Sequence, residues 1–240
     1  LLVNTAGQYN TAVGYRALLD NVTGDGNTAI GWRALNESTS SSNTAVGQSA
    51  CKNITSGAQN TAIGLEALNG DSGAPTTGAS NVGIGYRAGY KVQGAAASNV
   101  CIGTLAGGEI ATARQNVCIG HHSGGGDSAG TLTYDAGGSG SNVCVGYHAG
   151  NKIQGTANDN TFIGTASGAT QTSTANNTAI GSHSLYTNAS GTQTTAGGHY
   201  SLYHSLEDGN TSTATITIAD IVKILKESAT NTLDGYALYE

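Results

Sequence analysis

Little in this sequence could fill an ordinary globular core. In 240 residues there are one proline, one phenylalanine, one tryptophan and no methionine, and 10% of residues are charged. Large apolar side chains, the usual core material, are scarce. Disorder of the highly charged kind is equally unsuited to so low a charge content. No run approaches the roughly 18 apolar residues of a membrane-spanning helix, so no membrane insertion is expected. A formal charge of -6 carried on few groups predicts no phosphate-binding face and no nucleic-acid partner. Leu1-Leu2-Val3-Asn4 has no basic stretch of the kind that opens a signal peptide, and the missing initiator Met suggests a processed chain or a piece of a longer one. No Cys-x-x-Cys pair occurs, so a zinc site is not expected. The carboxylates are scattered with no paired arrangement, and the predicted set of catalytic residues, metal ligands and cofactors is empty.

What is abundant is glycine, 37 residues of it, and it recurs in a fixed place. The pentad Asn27-Thr28-Ala29-Ile30-Gly31 returns with substitutions along the chain. Its copies begin at Asn10, Asn27, Asn43, Asn60, Asn81, Asn99, Asn116, Asn142, Asn160, Asn177 and Thr194, at steps of 17, 16, 17, 21, 18, 17, 26, 18, 17 and 17 residues. Eleven near-regular copies predict an all-β fold, a parallel β-solenoid of about eleven turns of 16–18 residues. Stacked at about 4.8 Å per turn, they make a rod roughly 50 Å long.

The columns predict how one turn is built. Positions two to four alternate like a short strand. Placing Ile and Val inside makes the predicted core Val13, Ile30, Val46, Ile63, Ile84, Ile102, Ile119, Val145, Ile163 and Ile180. The two-residue period then puts Thr28 inside with Ile30 and turns Ala29 outward, where a sister backbone could approach closely. An exposed threonine rank, as ice binding would need, is not expected on that assignment. Asn10, Asn27, Asn43, Asn60, Asn81, Asn99, Asn116, Asn142, Asn160 and Asn177 read as a structural ladder of stacked amides, Gly31 and its equivalents as corners, and Ala34-Leu35 as the start of a second short strand. Cys101, Cys118 and Cys144 share position three in successive turns and read as free, buried thiols, in keeping with assembly in a reducing compartment. His122, His148 and His183 share position seven with Arg16, Arg33 and Arg87, and read as an exposed corner.

Two steps are long. One carries Gly70 to Gly78 with the single proline, the other Gly124 to Gly140. Insertions at solenoid corners often carry function, so Asp71, Pro75, Asp127, Tyr134 and Asp135 are the candidate receptor-facing residues. The division expected is a repeat domain over 1–206 and a tail over 207–240, with a strand at 213–218 and a short amphipathic helix from Ala219 to Glu227.

A turn this small buries little apolar surface, which favours association with further copies. The Asn-Thr-Ala-Ile-Gly-x-x-Ala-Leu pattern resembles the head repeat of the YadA-like trimeric autotransporter adhesins, a repeat also found in bacteriophage tail fibres. The resemblance covers residues 1 to about 206. It implies a left-handed β-roll, a homotrimer, and a structural role in attachment to a cell-surface receptor, a glycan or an outer-membrane protein. The chain shows neither a heptad stalk nor the alternating aromatic strands of a membrane barrel. A virion fibre is therefore the leading expectation, with the head of a bacterial surface adhesin as the alternative.

Overall fold

The computed structural model describes residues 3–70, 76–125, 140–153, 155, 157–171, 174–188, 191–205 and 211–212. Among them the chain is all-β, a parallel β-solenoid. Three-residue strands at Thr11–Val13, Thr28–Ile30, Thr44–Val46, Thr61–Ile63, Val82–Ile84, Val100–Ile102, Val117–Ile119, Val143–Val145, Thr161–Ile163, Thr178–Ile180 and Thr195–Gly197, followed by Thr211–Ser212, form one twelve-stranded sheet in sequence order. Every pairing is parallel and in register, Thr28 with Thr44, Ala29 with Ala45, Ile30 with Val46. The last rung, Thr211–Ser212 on Thr195–Ala196, continues the sheet into the segment that the sequence assigns to the tail. The strand expected at 213–218 and the helix expected from Ala219 to Glu227 lie outside the described residues.

Hydrogen bonding between turns extends well beyond the three-residue strands. Within the second turn, Gly31 N donates to Val13 O, Arg33 N to Tyr15 O and Leu35 N to Ala50 O, at 2.8, 2.9 and 3.0 Å. The backbone reaches these partners by bending. Arg33 (φ 56°), Leu35 (φ 48°) and Ser42 (φ 62°) are all left-handed, and the same three places repeat through most of the rod. Each such residue costs of order 1 kcal/mol or more, offset by the rung bonds it permits. Ala34-Leu35 is therefore a hydrogen-bonded bend and not the extended second strand expected. At position five, Gly31 has φ 133°, and a Cβ there would sit 2.6 Å from the Gly47 carbonyl oxygen. Glycine recurs because the next turn's backbone occupies the side chain's place.

The largest correction concerns which face points inward. Ala29, Ala45, Ala62, Cys101, Cys144, Phe162 and Ala179 are fully buried. The predicted core column faces out: Val13 is 57% exposed, Ile180 49% and Ile63 42%, with Ile30, Ile119 and Ile163 close behind, while Val46, Ile84, Ile102 and Val145 are half-buried. Thr28 and Ile30 do share a face, as the period requires, but it is the outer one, and Ala29 is not the outward position. The reason is volume. The interior is already filled from the opposite wall, by Leu18, Leu35, Leu68 and Leu185 at position nine, or by Ile54, Val92, Ile110 and Ile153 at position twelve. What remains opposite them admits alanine.

The core positions trade volume with one another. Where position nine is leucine, position three is alanine. In the turns that start at Asn99, Asn116, Asn142 and Asn160, position nine is glycine and position three is Cys101, Cys118, Cys144 or Phe162. A Cβ on Gly107 would meet Cys101 Sγ at 2.4 Å, and one on Gly168 would meet the Phe162 ring at 2.6 Å. The cysteines thus occupy space that leucine fills elsewhere.

Candidate functional site

The asparagine column is buried inside the wall of the rod. Asn99 Oδ1 accepts from the Asn116 backbone N–H and side-chain amide, both at 3.0 Å. Asn99 Nδ2 donates to Asn81 Oδ1 at 3.0 Å and to Ala113 O at 2.9 Å. Equivalent bonds run from Asn10, whose Oδ1 accepts from Asn27 N at 2.9 Å, to Thr194, whose N donates to Asn177 Oδ1 at 2.9 Å. Each amide joins its own turn to the next and closes its coil on the return segment. From Asn27 to Asn177 the column is at most 1% exposed, which leaves no amide for a ligand.

All four cysteines are buried free thiols. A hydrogen bond to Cys118, then burial, pushes Cys101 well above the ordinary thiol range. Burial alone raises Cys51 strongly. Such thiols are poor nucleophiles and poor metal ligands. Among the described residues no group of three or more His, Cys, Asp or Glu is arranged to hold a metal ion, and no helix is long and apolar enough to cross a membrane.

Two outer surfaces are organised. The first is the outer sheet face, an unbroken strip of threonine or valine at position two and isoleucine or valine at position four through ten rungs. The second is the corner at positions six and seven, which carries Tyr15-Arg16, Trp32-Arg33, Tyr86-Arg87, His121-His122, Tyr147-His148, His183 and His199-Tyr200. Arg33 lies over the Trp32 ring at 4.5 Å, and Arg87 lies 5.2 Å from the Tyr86 ring and 4.8 Å from that of Tyr90. Glu66 pairs with Arg87 at 2.6 Å. Further along, rings stack from turn to turn: His121 on Tyr147 at 5.3 Å, His183 on Tyr200 at 4.9 Å, and Tyr186 on Tyr203 at 4.9 Å with 4° between their planes. His121, His122 and His148 lie within 5.8 Å of one another. Burial, then the neighbouring Tyr186 and Tyr200, pushes the Tyr203 phenol above its ordinary value.

Sequence reading found the His and Arg column at position seven but not the aromatic column beside it. The signal was present at position six, in Tyr15, Trp32, Tyr86, His121, Tyr147 and His199. The candidate receptor residues Asp71, Pro75, Asp127, Tyr134 and Asp135 lie outside the described residues. Their anchors are described: Thr76 rejoins the rod by bridging Ile54 and Gly94, and Gly140 by bridging Arg114. Both insertions follow position ten or eleven, so both leave from the return side of the turn. Compared with known proteins, the chain matches no family model, no curated protein and no solved structure.

Proposed function

We propose that this chain is the trimeric β-roll rod of a bacteriophage tail fibre or similar virion appendage, and that its work is structural: it holds receptor-contacting surfaces away from the particle and against a host cell. The observation that carries this reading is the outer sheet face. A row of β-branched side chains in strict register, with Val13, Ile30, Ile63, Ile119, Ile163 and Ile180 at 36–57% exposure, is a long apolar surface on a rod with few charges. Surfaces of this extent mark interaction sites. Its regularity suits an equally regular partner, and further copies of the same chain supply one by closed symmetry. Three copies and a left-handed roll are what the resemblance to YadA-like head repeats implies. Three equivalent receptor sites would then raise avidity without strong single contacts.

The buried free thiols support assembly in a reducing cytoplasm, as for virion parts, and on that ground the fibre is preferred to a bacterial surface adhesin. The adhesin reading rests on the same pentad. We assign no reaction to the chain. Native mass measurement at micromolar concentration tests the assembly, with three chains expected; a stable monomer overturns it. Fluorescently labelled rod should adsorb to host bacteria, and failure to adsorb to any bacterial surface would remove the attachment role.

A further inference from the structure

Whole-chain charge conceals a local excess of the opposite sign. The formal balance is -6 with histidine counted neutral, yet on the same count the corner at positions six and seven carries Arg16, Arg33 and Arg87 against the single carboxylate Glu66, which is already paired with Arg87; His121, His122, His148, His183 and His199 stand there too. Five of the six histidines stand on this one edge. Its exposed rings, Tyr15, Trp32, Tyr86 and Tyr147, lie at 40–64% exposure. Arg33 stacks over the Trp32 ring and Arg16 over the Tyr15 ring, which fixes both guanidiniums beside exposed aromatic faces.

We propose that this corner binds an anionic polysaccharide laid along the rod, a deepening of the attachment role on which it rests. Arginine and histidine N–H donors fall on the edge at intervals of one to a few rungs, each rung about 4.8 Å. That spacing suits a polymer bearing one carboxylate every sugar or two. Duplex nucleic acid, with a charge every ~1.7 Å, would meet the acidic remainder of the rod. Exposed aromatic faces suit the C–H faces of pyranose rings, and guanidiniums suit carboxylates. The repeat of the rod and the length of one pyranose unit are comparable, so successive sugars can meet successive rungs.

The histidines extend the row of rings along the edge. His121 stacks on Tyr147 and His183 on Tyr200, and the Ser182 hydroxyl lies 2.9 Å from His183 Nδ1.

The test measures binding of the whole chain to polygalacturonate, to neutral dextran and to single-stranded DNA at neutral pH. Polygalacturonate should bind and weaken steeply with salt, while dextran should not bind. The R16Q/R33Q variant, folded by circular dichroism, should lose most of that affinity, and H121Q/H148Q, which removes two rings from the edge, should weaken it. Unchanged binding in both variants, equal binding to dextran, or tighter binding to DNA overturns the proposal. If it is overturned while labelled rod still adsorbs to bacteria, attachment stands and only the ligand class falls.

Discussion

Each asparagine of the ladder satisfies backbone groups that nothing else in the wall can reach. Replacing Asn99 by alanine removes the acceptor of two bonds and the donor of two more. It strands the buried Asn116 N–H, at a cost of about 1–3 kcal/mol, read as a lower melting temperature. The inward face gives a sharper contrast. Ala62→Asp places a charge in a fully buried site and should unfold the surrounding turns. Ile63→Asp, 42% exposed, should leave the single rod folded and separate the proposed trimer, as native mass and thermal melts would show. Volume trading predicts a rescue. Gly107→Leu should be strongly destabilising alone, since Cys101 fills the space a leucine would need, and Cys101→Ala with Ile110→Ser should recover much of the loss. The thiols should resist a disulfide reagent until the chain unfolds. Because Cys51, Cys101 and Cys118 titrate higher folded than unfolded, their contribution is complete below the ordinary value near 9. It is lost as pH rises beyond that, visible as falling stability in alkali.

At the scale of the turn, period and register were legible because asparagine and glycine are position-specific: one bonds across rungs, the other lets backbones touch. Which face of Thr-Ala-Ile points inward was not legible. Hydrophobicity ranks isoleucine above alanine for burial. The deciding quantity is the room left by Leu35 or Ile110 reaching across from the return wall, and a column read by itself does not contain it. The bends at Arg33 and Leu35 were hidden too, since neither residue type favours a left-handed backbone. The twelfth rung was missed because Thr211–Ser212 lacks the Ile-Gly that closes the other copies. The corner site was half legible, through its His and Arg. The turn as a modular unit predicts that deleting residues 43–59, one 17-residue period, gives a shorter folded rod. Deleting half that length should abolish folding, by circular dichroism, because it throws every later rung off its face.

For the molecule as a whole, the in-register pairing leaves two unlike surfaces: an apolar face suited to sister copies and a cationic, aromatic edge suited to a polyanion. The apolar face is unbroken through ten rungs and the edge carries its rings or cations on seven of the eleven copies, so assembly and attachment can use the same rod without competing for one spot. With an isoelectric point near 5.4, the chain should be least soluble near that pH, since net repulsion between rods is then smallest. A turbidity scan against pH would show a maximum there.

The rung bonds carry a mechanical consequence. They point along the rod from each turn to the next, so a pull on the two ends of a single chain loads the turns in series, and the weakest end turn opens first. Each opening frees one period, 17 residues in most turns, and lengthens the chain by about 50 Å. Single-molecule stretching of a separated chain should therefore give a sawtooth of near-equal steps, with longer steps where the 21- and 26-residue turns let go. A rod built this way gives under load by small, countable increments and can rewind turn by turn when the tension drops.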